Sequence, residues 1–219
     1  MRLHSAAALI CTIVLAVGNQ ASAGLIPMPV TTLADFNTLL GGVPTALGVP
    51  QPTSMISLDN KLQAQVLSQA FELNSKYLYL YQINNLGSTG NSYIETFTIS
   101  PMLGATSGTQ VGYLGSNAPT GFSLGYQAPA GASLDSASGP TLSFSFPGYL
   151  GNAIEPGKSS KALYVLIDKQ PGQATGNVIN GTIASGEVTA PVPEPATLSL
   201  LSVGGLFLLA YAWRRQRGS

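Results

Sequence analysis

Three hydrophobic patterns divide the chain. Residues 6–17 form one continuous apolar run and residues 196–213 a second, while apolar and polar positions alternate between them. The alternation is clearest at 77–83, where Tyr77, Tyr79 and Tyr81 fall on one face and Leu78 and Leu80 on the other. An aromatic-rich pattern of period two predicts a strand. Residues 84–91 read as a turn, and 93–99 as a second strand stopped by Pro101. Residues 109–114 and 121–126 are shorter candidates. At 141–146, Leu142, Phe144 and Phe146 oppose Thr141, Ser143 and Ser145, and the strand ends at Pro147-Gly148. A Glu155-Pro156-Gly157-Lys158 turn leads into 162–167, and 177–188 closes the series. Strands at these intervals, separated by Gly, Pro and Asn turns, predict an all-β, Ig-like β-sandwich over residues 57–190.

Two stretches are less decided by pattern. Leu58, Leu62, Val66, Ala70 and Leu73 have helical spacing, whereas Leu62, Ala64 and Val66 have strand spacing. The strand reading is preferred, as the first partner of the tyrosine strand; a helix would pack on the sandwich edge. Residues 24–56 are punctuated by Pro27, Pro29, Pro44, Pro50 and Pro52. They read as an extended Pro/Gly-rich N-terminal arm with a helical turn or two within 33–40.

The two apolar runs carry the targeting information. Residues 1–23 have the layout of a secretory signal peptide: Arg2, the apolar run, then Ala21-Ser22-Ala23 as a small-residue cleavage site before Gly24. Cys11 lies inside the apolar run after Ile10, which does not fit a lipoprotein box. Residues 196–213 carry no charge over 18 positions, enough for a helix of about 27 Å across the hydrocarbon core. Tyr211 and Trp213 sit at one end and Arg214, Arg215 and Arg217 follow. That order predicts a transmembrane helix with residues 214–219 as a cytoplasmic tail and the preceding chain on the far side. Just before the span, Pro193-Glu194-Pro195 fixes two φ angles and removes two donors, so it is extended and accessible.

Pro193-Glu194-Pro195, an apolar span and an arginine cluster, in that order across residues 191–219, resemble the PEP-CTERM sorting signal. The resemblance implies a Gram-negative, exopolysaccharide-producing bacterium and recognition by an exosortase, an integral-membrane enzyme that cuts near the tripeptide. It implies residence in the inner membrane before processing and at the cell surface or in the matrix afterwards. The Leu-Pro-x-Thr-Gly motif of sortase substrates is absent. The run from Tyr77 to Asn85 and the later Pro156-Gly157 turn also resemble ectodomains that precede such tails and, more loosely, Ig-like modules.

Composition narrows the chemistry. The only histidine is His4 and the only cysteine Cys11, both within the signal segment. A chain cut after Ala23 therefore has no disulfide, thiol nucleophile, Ser-His-Asp triad or His/Cys zinc site. Only a carboxylate mechanism stays open, as in glycosidases, and Glu72 with Glu95 is the one pair that could face across strands. Asp59-Asn60 and Asp135 could join an irregular Ca²⁺ site, but no calcium-loop motif is present. Residues 24–190 hold five lysines, eight carboxylates and no arginine, a net charge of −3. That balance lacks the basic footprint of a nucleic-acid binder. The tyrosine stripe reads as core, while Tyr113, Tyr126 and Tyr149, beside glycine or proline in loops, are candidate glycan contacts. Asn180-Gly181-Thr182 reads as a β-turn rather than a glycosylation site.

The expectation is a non-enzymatic exported surface or matrix protein, with no cofactor or metal. It is sorted and cut by an exosortase and associated with exopolysaccharide or biofilm. Alternatives are a carbohydrate-binding module or adhesin, a carboxylate hydrolase, and an uncleaved single-pass membrane protein.

Overall fold

The alternating tyrosine segment becomes β5 (Lys76–Asn85), a strand buried on both faces. The computed structural model describes residues 25–87, 93–136, 139–146 and 153–191. The signal segment with Ala21, Ala23 and Gly24 lies outside the described residues. So do Tyr149, Pro193, Glu194, Pro195, the span 196–213 and Arg214, Arg215 and Arg217.

Eleven further strands accompany β5: β1 (Ile26–Met28), β2 (Val30–Asp35), β3 (Thr45–Ile56), β4 (Gln63–Leu73), β6 (Thr96–Ser100), β7 (Gln110–Ser116), β8 (Gly131–Asp135), β9 (Thr141–Ser145), β10 (Leu163–Ile167), β11 (Pro171–Asn180) and β12 (Thr182–Pro191). The described fold is all-β, and no helix among these residues is long and apolar enough to cross a membrane. One six-stranded sheet has the order β1-β8-β9-β6-β11-β12; the other is β2-β7-β10-β5-β4-β3. Every pairing is antiparallel except β2 with β7.

Alternation explains how the sheets meet. Val66, Tyr79, Tyr81 and Val165 from one sheet and Phe97, Leu142, Phe144, Val178 and Val188 from the other form a single buried cluster. Tyr81 and Phe97 touch across it, with ring centroids 5.7 Å apart. Leu78 and Leu80, on the other face of β5, join Phe71, Leu114, Tyr164 and Phe36 in a second cluster. Its lid is made of loop residues: Leu39, Leu40 and Phe122 pack against it, and Phe36 meets Phe71 edge-on at 5.0 Å. A third layer of loops thus covers the outer face of the second sheet.

Three expectations are revised and one is met. The presumed arm at 24–56 supplies β1 and β2, which feed opposite sheets around Pro29, and the long β3. Pro27 in β1 and Pro50 and Pro52 in β3 are compatible with strands because both strands are edges, where proline is tolerated. Residues 121–126 form no strand; Phe122 plugs the second cluster, and the strand of that region is β8. Residues 177–188 belong to two strands, a hairpin turning at Gly181, whose φ is +64°. The ambiguous segment is strand, and β4 pairs with β5 as the tyrosine strand's neighbour.

The two sheets close where β3 meets the hairpin. Gly176 and Gly186 are paired across β11 and β12, and they leave a slot filled by the fully buried Met55 of β3. A Cβ on Gly186 would lie 2.4 Å from Thr53 Cγ2. Gly186→Ala is therefore expected to destabilise the fold by about 1–3 kcal/mol, the usual cost of overpacking. Thr53→Ser, which removes that methyl, should restore part of the loss in the double variant, read from urea midpoints; a neutral Gly186→Ala would refute this packing.

Candidate functional site

β12 is the outermost strand of its sheet and the last described element before the Pro-Glu-Pro tripeptide. An edge strand presents unpaired backbone groups to its surroundings. Here three of them, near the end of the strand, are closed by side chains of the opposite sheet. The Tyr81 hydroxyl donates to the Thr189 carbonyl at 2.7 Å, and the Thr189 N–H donates to Ser68 Oγ at 2.9 Å. Thr53 Oγ1 donates to the Glu187 carbonyl. Ser68 and Tyr81 are themselves a directly opposed pair on β4 and β5, so one register position of the second sheet holds Thr189 from both sides.

Burial strengthens this arrangement. Tyr81 and Ala190 are fully buried, and Pro191 is buried where it pairs with Pro171. Tyr79 makes the companion contact, donating to the Lys169 carbonyl at 2.7 Å just before β11 begins. Each buried phenol needs a partner, because an unmade bond in a dry core costs about 1–3 kcal/mol. The partner in both cases is backbone of the segment leading into or out of the hairpin. The body of the fold therefore stays paired up to Pro191, and only Val192 separates it from Pro193.

Strand pairing puts the start of β5 and the end of β10 at the end where β11 begins and β12 finishes. A cleft of about 530 Å³ opens there, lined in part by Lys76, Thr106, Thr109, Gln110, Asp168 and Lys169. Its charges are mixed, with no dominant sign.

The candidate tyrosines separate. Tyr126 is a loop residue, 67 % exposed, with the Lys158 ammonium 5.3 Å from its ring centroid. It lies beyond the opposite end of β5, where Asn85 N–H donates to the Lys158 carbonyl. Tyr113 is not a loop residue: it sits in β7 and is buried in the main cluster, because its position in the alternation faces the core. Tyr79 and Tyr81 are core, as the stripe suggested. Glu72 and Glu95 are not brought together: Glu72 pairs with Tyr77 in one sheet, while Glu95 precedes β6 in the other and bonds Ile179 near the hairpin turn. Asp59 is taken up by the β3–β4 turn, where Ser57 Oγ and Lys61 N–H donate to its carboxylate and hold its pKa below the ordinary value. Among the described residues, no three His, Cys, Asp or Glu side chains gather as a metal group.

The clamp on Thr189 was not legible in the sequence. Its partners lie more than a hundred positions apart. The only advance signal was a tyrosine in a core stripe, which must find an acceptor for its hydroxyl.

Burial raises the pKa of Tyr81 well above the usual phenol value, and that of Tyr79 as well, each with a smaller push from the neighbouring tyrosine. The folded pKa exceeds the unfolded one, so the stabilisation is fully present below about pH 10 and is lost as pH rises toward the folded value. The urea midpoint is expected to be level from about pH 7 to 9 and to fall above about 10. Tyr81→Phe should lower stability by about 1–2 kcal/mol at neutral pH, while flattening the alkaline fall. An alkaline limb unchanged in that variant would contradict the assignment.

With this geometry in place, the comparisons add one finding. Residues 191–216 match the family model of the PEP-CTERM protein-sorting motif, beginning at the residue where β12 ends. No curated protein and no solved structure matches the chain. The segment that leaves the Thr189 clamp is a PEP-CTERM sorting motif, and the chain is a PEP-CTERM domain-containing protein.

Proposed function

We propose that this is a non-enzymatic exported protein whose β-fold is delivered to the cell surface or extracellular matrix by exosortase cleavage near Pro193–Pro195, in association with exopolysaccharide. The observation that carries the reading is the motif match at 191–216, which implies a secreted protein held through its C-terminus before exosortase processing. The junction supports it further. The last described strand ends at Pro191, so a cut at the tripeptide leaves every described strand intact. The low charge and the dispersed carboxylates support a structural rather than a catalytic role. Intact mass of the protein from its host tests this. Loss of about 25 residues from the C-terminal side, dependent on the exosortase gene, is expected. A tail retained in both strains would make the chain an uncleaved single-pass membrane protein.

A second reading is favoured by one observation, the exposed Tyr126 ring with Lys158 over it. An aromatic face beside a cation suits stacking on a sugar with an acidic group nearby. Strand direction places it at the end of the fold away from the sorting motif, which leaves it open while the chain is held at the membrane. Tyr126→Ala is expected to weaken binding to the host exopolysaccharide about tenfold without changing thermal stability, and equal binding by the two proteins would remove this reading.

A further inference from the structure

Cleavage near the tripeptide requires an enzyme to surround an extended segment, yet the fold stands almost against it. Between Pro191, the last paired residue among the described ones, and Glu194 lie only Val192 and Pro193. Each spans at most about 3.6 Å when extended. An active site that grips about four residues on the N-terminal side of a cut at Pro193 or Glu194 would reach back onto β12. That strand is restrained at its final turn of pairing by Tyr81 and Ser68 through Thr189.

We propose that the Tyr81–Thr189–Ser68 clamp is a gate on tail processing: the exosortase cuts only after the last residues of β12 peel from the opposite sheet. The inference rests on the sorting reading above. It assigns to Tyr81 and Ser68 a positioning role in a reaction they never touch. The rest of the fold need not open. Tyr79 holds Lys169 independently, and Met55 fills the glycine slot further along the hairpin. The segment that must move is the short piece from Thr189 to Pro191. Where such opening is fast relative to cutting, the cleavage rate follows the population of the open form.

The test compares initial rates of tail loss for the full chain in its host. It uses the natural chain, Tyr81→Phe, Ser68→Ala, a chain with six Gly/Ser residues inserted between Pro191 and Val192, and the insertion combined with Tyr81→Phe. Removing one buried hydrogen bond should raise the open population, and so the rate, about fivefold. The insertion should raise it at least as much. Tyr81→Phe should then add nothing in the insertion background, because the enzyme no longer needs β12 to move. Thermal unfolding of each variant checks that the body stays folded, and Ser68→Ala carries the test alone if Tyr81→Phe does not. Equal rates in all cleaved chains would overturn the gate while leaving the sorting reading intact. So would an acceleration by Tyr81→Phe that persists with the insertion, since that reports general loosening. Absence of cleavage in every chain would overturn the sorting reading and the gate with it.

Discussion

A phenol buried in an apolar core must donate a hydrogen bond to an acceptor, and in this fold the acceptors are carbonyls of the C-terminal hairpin's strands and approaches. Tyr79 bonds to Lys169 before β11, and Tyr81 to Thr189 near the end of β12. The first ties the centre of one sheet to the approach to β11, and the second ties it to the edge strand of the other sheet. They fix where the hairpin sits, and the hairpin in turn covers the core with Val178 and Val188. The glycine pair at 176 and 186 lets β3 approach closely enough for Met55 to complete the seal. Satisfying the tyrosine hydroxyls thus also settles where the chain leaves the fold.

The same bonds protect an exposed edge. Many proteins guard an edge strand with charge or proline. β3 does so with Pro50 and Pro52, and its register shifts between Leu47 and Gln51. β12 instead has its outward groups at Glu187 and Thr189 bonded to Thr53, Ser68 and Tyr81, side chains of the opposite sheet. An edge closed in this way offers less for another copy to pair with.

Much of this was readable from residues, and the failures have physical causes. Period-two alternation identified β5 and β9, and the Pro156-Gly157 turn marked the approach to the continuous apolar run of β10. β3 was missed because its prolines and glycine disguise it. Its burial pattern is almost wholly exposed, so no apolar face announces it. β8 was missed because Gly131-Ala132-Ser133-Leu134-Asp135 has no β-branched or aromatic residue; two strand neighbours, β1 and β9, hold it in place. Residues 121–126 looked like a strand because Phe122, Leu124 and Tyr126 alternate. The first plugs a cluster and the last faces solvent. The sorting motif was fully legible, being local and linear. The clamp beside it depends on residues far apart in sequence and could only be seen in the fold.

The central claim is that the fold stays closed through Thr189, immediately before the sorting motif. Native-state hydrogen exchange of the Thr189 amide in the full chain, held in a lipid nanodisc, tests it most directly. The account predicts that this amide is protected, opens more readily than the β5 amides, and loses its protection selectively in Ser68→Ala. Exchange at the unprotected rate in the natural chain, while β5 remains protected, would contradict it.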